Sequence, residues 1–288
     1  MRSAIEAADK AQILVDALPF IRAYRNRIVV VKLGGEPLDD PGLADKVAED
    51  LALLALVGLD VVVVHGGGPQ ISRAMEAKGV KPRFAAGHRV TDDDSMEIVQ
   101  QVLLGEINSG LVGRLNQAGA TAVGVSGIDA GFMRAQRRPG EDGEDLGRVG
   151  DVIEVNPAFL TSLLAQGFTP VIASVAPSSD GTTLNVNADS AAGAVAAALH
   201  AEKLVFVTNV EGLYADLGDR DSLISELKSD ELGLLMPGLS AGMRPKAKAT
   251  LAAIRAGVGK VHILDGRDDH ALLLEIFTSD GIGTQVLP

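Results

Sequence analysis

Twice the chain drives a β-branched apolar run straight into consecutive glycines, as IVVVKLGG over residues 28–35 and as VVVVHGGGPQI over residues 61–71. No other feature limits the choice of fold as strongly. A run that is apolar at every position, rather than at alternate ones, suits a strand buried on both faces of a parallel sheet. The glycines then stop the extension, and without Cβ atoms their backbone N–H groups can approach a bound group closely. After the second loop Pro69 takes a favoured first helical position, and Ile71, Ala74, Met75 and Lys78 recur at helical spacing. Strand, glycine loop and helix N-terminus make an anion site, because unpaired N–H groups and the positive end of the helix dipole face one space. Easier packing of a tight turn would account for one glycine; three in succession favour the site.

Strand and helix patterns alternate along the rest of the chain. Helical stretches follow from about Gly42 and Pro69 and between about Ser95 and Gln117, and again in PAFLTSLLAQG, DSAAGAVAAALHA, RPKAKATLAAIRAG and DHALLLEIF. Between them lie TAVGVSG, Val149–Val155, TPVIASV, KLVFVTN and KVHIL, all of strand character. This alternation predicts an α/β fold with a largely parallel sheet and helices on both faces. Residues 1–24 precede it as a separate amphipathic helix with Ile13, Leu14, Ala17, Leu18 and Ile21 on one side. Arg138–Gly147 is acidic and turn-rich, a solvated hairpin tip rather than a metal site.

Composition removes several function classes. A net charge of −12 with no basic, aromatic-interleaved stretch argues against nucleic acid as a partner. The chain has no cysteine, so it has neither disulfides nor thiolate metal sites, which fits a reducing compartment. Arg2, Glu6, Asp9, Lys10 and Asp16 interrupt the start, and the longest apolar runs, LALLALVGL and AAGAVAAAL, fall short of the roughly 18 residues of a membrane span. A soluble cytoplasmic protein is expected. The five histidines lack metal-ligand spacing, and GVSG is not a nucleophile elbow, which leaves Ser126 a structural role.

Charged groups cluster where the glycines are. Lys32 is the penultimate residue of the first run, and Gly34 and Gly35 follow it; a lysine at a strand end often only reaches for water. Two glycine loops at neighbouring strand ends, where ligands of open α/β sheets bind, make a functional role the better reading. Neither loop is a Walker A or GxGxxG sequence. In TLNVNADSAAGAV, Asn185, Asn187 and Asp189 alternate just before a helix, which places them on one side of an extended segment, and Asp189 is also a candidate helix cap. SAGMRPKAKATL puts Lys246 in a first helical turn, where the dipole disfavours a cation unless an anion lies near.

Taken together and in order, KLGG, HGGGPQI, GHRVTD, LNVNAD, TNVEGL and GMRPK resemble the N-acetylglutamate kinases of the amino acid kinase family across nearly the whole chain. The resemblance implies an open αβα sandwich with a mainly parallel central sheet. It divides the chain into an N-terminal oligomerisation helix (1–24), a lobe for the acyl amino acid (25–198) and a lobe for ATP (199–288). It also implies phosphorylation of the side-chain carboxylate of N-acetyl-L-glutamate by ATP with Mg²⁺, the second step of arginine biosynthesis. Lys32 and Lys246 would flank the transferring phosphoryl group and Asp189 would orient both, with no protein-bound metal. Gly67, Gly68, Arg89, Asn185 and Asn187 would hold the acyl substrate. Gly34, Gly35, Gly66, Thr208, Asn209, Gly212, Leu213 and Met243 would hold ATP.

Residues 262–286 resemble the arginine-sensitive branch, which implies a homohexamer built as a trimer of dimers and inhibited by L-arginine. Glu275 would meet the inhibitor's guanidinium, with the backbone near Gly283 accepting from it and Lys203 toward its carboxylate. The sequence departs from the usual pattern at His88, where leucine is common, at Ile128 in SGIDAG, where lysine is common, and at Asn209, where aspartate is frequent. Two alternatives stay open: a kinase for an acylated aminoadipate, one methylene longer, and a non-catalytic amino-acid sensor of the same fold. The presence of Lys32, Lys246 and Asp189 together argues against the sensor.

Overall fold

A computed structural model describes residues 7–85, 87–140, 144–216, 218–240, 242–278 and 281–288. Residues 1–6 of the expected first helix and 141–143 of the acidic connection lie outside the described residues. In chain order the strands are β1 (Ile28–Leu33), β2 (Asp60–His65), β3 (Phe84–Ala85), β4 (His88–Arg89), β5 (Ala122–Ser126), β6 (Met133–Arg137), β7 (Val149–Val155), β8 (Thr169–Ala173), β9 (Val175–Pro177), β10 (Thr183–Val186), β11 (Lys203–Thr208), β12 (Leu213–Tyr214), β13 (Leu223–Ile224), β14 (Glu226–Lys228), β15 (Lys260–Asp265) and β16 (Thr284–Leu287). The helices are α1 (Ala7–Tyr24), α2 (Glu36–Asp39), α3 (Pro41–Leu56), α4 (Gly68–Ala77), α5 (Asp93–Gln100), α6 (Ser109–Gln117), α7 (Ala158–Ala165), α8 (Ala188–Ala198), α9 (Ser229–Leu235), α10 (Met243–Arg255) and α11 (Ala271–Phe277). A π-helical segment, Gln101–Asn108, joins α5 to α6.

One eight-stranded sheet runs through the molecule in the order β14-β16-β15-β11-β1-β2-β8-β5. From β15 to β5 every pairing is parallel; β16 runs antiparallel to β15, with β14 parallel to β16. The two glycine-terminated runs are adjacent central strands, and Lys32 lies between Val64 on one side and Phe206 on the other. The chain leaves β1 for β2 on one side and later returns to β11 on the other. The C-terminal ends of these three strands therefore form the crevice where open α/β sheets bind ligands.

The period of two along each strand supplies both cores. Val30, Val62, Val64, Leu204 and Phe206 pack under α8 and α10, while Val29, Val31, Val61, Val63, Val205 and Val207 pack with Leu51, Leu54, Met96, Leu103 and Leu115 on the other face. The small residues of α8 let α10 come close: a Cβ on Gly193 would stand 3.3 Å from the Ala249 carbonyl oxygen. A second sheet, β6-β7-β10-β9, mixes antiparallel and parallel pairs. The sequence pattern does not separate its strands from the main sheet, because strand character is the same in both. On α1, Ile13, Leu14, Val15 and Leu18 stay exposed, whereas Tyr24 is buried.

Candidate active site

Lys32 and Lys246 reach one carboxylate from two different elements. Lys32 Nζ lies 2.8 Å from Asp189 Oδ1, and Lys246 Nζ donates to Oδ2 at 3.1 Å. β1 delivers Lys32, the first turn of α8 delivers Asp189 and the first turn of α10 delivers Lys246. Asp189 is the anion that offsets the unfavourable dipole at Lys246. Lys32 and Asp189 are buried, and Lys246 is partly buried. Burial alone would push the Asp189 carboxyl up, but the charges and hydrogen bonds of Lys32 and Lys246 outweigh it and hold it below the ordinary value. Burial, helped by the Lys32 charge, pushes the Lys246 ammonium down against the pull of Asp189. A Cβ on Gly34 would fall 2.4 Å from Lys32 Nζ, so a side chain there would push the amine aside.

A cavity of about 230 Å³ opens beside this cluster, lined by both glycine loops together with Arg89, Asn185, Asn187 and Asp189. All five expected substrate residues, Gly67, Gly68, Arg89, Asn185 and Asn187, line it, and of the expected ATP residues Gly34, Gly35 and Gly66 do. Arg89 is locked in place: Nη2 donates to the Gly68 carbonyl and to Ser72 Oγ, both at 2.8 Å, and the guanidinium lies 4.7 Å from the centre of the Phe84 ring. Asn185 Nδ2 donates to Thr91 Oγ1 at 3.2 Å. One expectation is corrected here. The cap of α8 is Asn187, whose side chain accepts from Ser190 N at 3.0 Å, and Asp189 sits inside the helix. The extended segment ends before Asp189, and the helical turn is what swings its carboxylate to the two lysines.

The remaining ATP candidates lie on the β11 side. Thr208 ends β11, and the Asn209 side chain faces Gly35, at 3.7 Å from where a Cβ would be. A Cβ on Gly212 would strike Thr284 Oγ1 at 2.4 Å, and that hydroxyl accepts from Leu213 N at 2.8 Å. Met243 opens α10, one turn before Lys246. None of Thr208, Asn209, Gly212, Leu213 and Met243 lines the smaller cavity. Among the described residues no group of three or more His, Cys, Asp or Glu side chains could hold a metal.

The three residues expected to meet arginine are also together, away from the lysine pair. Lys203, Glu275 and Gly283 line a cavity of about 890 Å³ next to Tyr24 of α1. Lys203 donates to Glu275 Oε1, and His262 Nδ1 lies 2.8 Å from the same oxygen. Burial pushes the Lys203 ammonium down against the pull of Glu275. The Glu275 carboxyl is pushed up by burial but held below its ordinary value by His262 and Lys203.

The model of the amino acid kinase family matches residues 27–265. The chain belongs to that family. Chains named acetylglutamate kinase from Saccharopolyspora erythraea and Acidothermus cellulolyticus are 50% identical over 98% of this chain and 94% of theirs, and 51% identical over 97% of each. Among solved structures, N-acetylglutamate synthase from Neisseria gonorrhoeae, complexed with coenzyme A and N-acetyl-glutamate, superposes with a TM-score of 0.87 at 30% identity, over 96% of this chain. The chain spans 63% of that synthase. The Giardia carbamate kinase, at 17% identity and a TM-score of 0.64, shares the fold.

Other groups reach this candidate site from elements distant in the sequence. Ser72 and Phe84 fix Arg89, Ser174 lines the cavity at the end of β8, and His65 and Asn108 lie beneath the second glycine loop. Only His65, next to three glycines, carries a local signal; the others are joined to the site by folding alone.

Proposed function

We propose that the chain is an acetylglutamate kinase, transferring the γ-phosphoryl group of ATP to the side-chain carboxylate of N-acetyl-L-glutamate in the second step of arginine biosynthesis. The observation that carries this reading is Asp189 held between Lys32 and Lys246 beside two glycine loops. A carboxylate acceptor, with a reference pKa near 4.3, is ionised at neutral pH, so the transfer needs no general base. It needs charge neutralisation, because an anionic acceptor must approach an anionic phosphoryl group in line. Lys32 and Lys246 supply that charge, Asp189 keeps both amines aimed, and the N–H groups of Gly34, Gly35, Gly66, Gly67 and Gly68 take up phosphate and substrate oxygens. Arg89, Asn185 and Asn187 hold the acyl amino acid. Thr208, Asn209, Gly212, Leu213 and Met243 hold ATP. Mg²⁺ rides on the phosphates and water, since Asp189, the buried carboxylate of the site, is already shared by two lysines. In this reading 25–198 is the acyl amino acid lobe, 199–288 the ATP lobe, and the enzyme works in the cytoplasm, where ATP is held.

The same proposal extends to regulation: a homohexamer, a trimer of dimers joined through residues 1–24 and inhibited by L-arginine in the larger cavity. The exposed Ile13, Leu14, Val15 and Leu18 of α1 and the position of Lys203, Glu275 and Gly283 beside that helix support it. Glu275 already serves Lys203 and His262, so an entering guanidinium would share or displace those partners. Inhibition would act through differential affinity for two lobe arrangements.

The test is ADP release with N-acetyl-L-glutamate, N-acetyl-L-aspartate and acylated L-aminoadipate. A pocket discriminates one methylene by about 1–3 kcal/mol, so kcat/KM for N-acetyl-L-glutamate is expected to exceed the others by about tenfold or more. Preference for the aminoadipate would replace the substrate, and no ADP with any of them would favour a sensor.

A further inference from the structure

We infer that His65 is a positioning residue for this transfer: its Nδ1–H holds the Gly66 carbonyl, which turns the Gly67 N–H toward the cavity, and Asn108 fixes the tautomer that permits it. The inference rests on the phosphoryl-transfer reading above and adds to it two residues outside the lysine pair.

The hydrogen-bond chain has one consistent direction. Asn108 Nδ2 donates to the Val171 carbonyl at 2.8 Å, an oxygen that can only accept, and this identifies the amide nitrogen. The same nitrogen lies 3.0 Å from His65 Nε2, which must therefore accept. The proton of a neutral imidazole then sits on Nδ1, 3.1 Å from the Gly66 carbonyl oxygen. His65 is fully buried, and burial, helped by the neighbouring Lys32 charge, pushes it down to about 4. The ring is thus neutral across the physiological range, and its donor is constant.

The consequence for the loop follows from peptide geometry. Gly66 N donates to the Leu33 carbonyl at 3.2 Å, so its N–H side is tied to β1. With the Gly66 carbonyl tied to His65 as well, the next peptide unit is fixed. In a trans peptide the C=O and the following N–H point in opposite directions, so the Gly67 N–H is turned away from the imidazole. Gly66, Gly67 and Gly68 line the cavity that Lys32 and Asp189 also line. An N–H aimed in advance at developing charge is the kind of group whose value depends on orientation.

The π-helical segment is the support behind this loop. A Cβ on Gly67 would fall 2.3 Å from Ile107 Cδ1 and 2.9 Å from Leu103 Cδ2, so the segment packs directly on the glycine loop. Asn108 is its last residue, and π-helical turns are enriched at functional sites. On the far side a Cβ on Gly124 would stand 2.0 Å from Asn108 Oδ1, so β5 must carry glycine there to admit the amide.

The tautomer is read directly from long-range ¹H–¹⁵N spectra of the full chain labelled with ¹⁵N-histidine, with His65→Phe assigning the resonance. One histidine in the Nδ1–H form that does not titrate between pH 5.5 and 8 is expected. Absence of any such histidine overturns the inference even if no variant folds, and so does an assigned His65 ring in the Nε2–H form or one that protonates within the range. Kinetics form the second arm: Asn108→Leu and Gly124→Ala disturb the lock from opposite sides and leave His65 in place. Each is expected to lower kcat about tenfold or more with both KM values within about threefold, because a misaimed donor costs part of the 10²- to 10³-fold of a deleted one. A folded Asn108→Leu enzyme with kcat within twofold of wild type overturns the inference. If wild type itself fails to phosphorylate N-acetyl-L-glutamate, the functional reading falls while the spectra still decide the His65 geometry.

Discussion

Asp189→Asn removes one charge and keeps the side-chain shape. In the folded chain that charge lies 2.8 Å from Lys32 Nζ and 3.1 Å from Lys246 Nζ, with Lys32 and Asp189 buried and Lys246 partly so. At an effective dielectric near 20, a unit pair at 4 Å attracts by about 4 kcal/mol, and these contacts are shorter. Much of that attraction offsets the cost of burying the ions, but removing one partner of a buried pair typically costs about 3–5 kcal/mol. The variant keeps two ammonium groups facing each other with no anion between them. Its cheapest relief is for Lys246, already pushed down by burial, to release its proton, which caps the stability loss near that range. Activity then suffers twice, from lost aim and from lost charge. The expected result is kcat down by about 10²- to 10³-fold at pH 7. The alkaline limb of the rate profile should also shift at least one pH unit lower, since each unit corresponds to 1.36 kcal/mol. ADP release from pH 6 to 10, with thermal melts at each pH, measures both. A variant that kept more than about a tenth of kcat with an unmoved alkaline limb would refute the assigned role of Asp189.

Three further perturbations test other parts of the account. Gly67→Ala places a methyl 2.3 Å from Ile107 Cδ1 and should cost about 1–3 kcal/mol in a thermal melt, together with a clear loss of kcat; unchanged kcat would separate the loop from catalysis. Arg89→Lys keeps charge but loses the fork held by Gly68, Ser72 and Phe84, so KM for the acyl amino acid should rise about tenfold while KM for ATP barely moves. Asp50, buried on α3 with His270 Nδ1 at 2.6 Å, is pushed up by burial to about 6. Because the folded state holds this proton longer than the unfolded state, the contribution is full below about 3.8 and lost as pH rises through about 6. Asp50→Asn should remove that fall and gain up to about 3 kcal/mol on wild type above pH 6, read from denaturant melts across pH.

Much of the site is legible in the chain because its parts are local. Val61–Val64 followed by three glycines specifies strand, loop and helix start with no long-range knowledge, and Lys32 before Gly34 does the same on β1. The lysine in the first turn of α10 called for an anion, and the structure supplies Asp189 from 57 residues away. Asp189 is a candidate cap in the sequence, yet Asn187 takes the cap in the structure: an Asn and an Asp two residues apart are both good caps, and only the position of the first helical turn decides between them. Asn108 carries no local sign of its role: its partners, His65 and Val171, are 43 and 63 residues distant, and the π-helical turn that aims it has no hydrophobic period of its own. The strands β6, β7, β9 and β10 have ordinary strand sequences, so nothing in them indicates a sheet separate from the main one.

The central claim is that a carboxylate accepts the phosphoryl group. An acyl phosphate reacts with hydroxylamine to give a hydroxamate, so the wild-type chain, incubated with N-acetyl-L-glutamate, MgATP and hydroxylamine, is predicted to form hydroxamate and ADP in equal amounts, and to form neither when Lys32 is replaced by Ala. ADP without hydroxamate, or hydroxamate formation that survives Lys32→Ala, would contradict it.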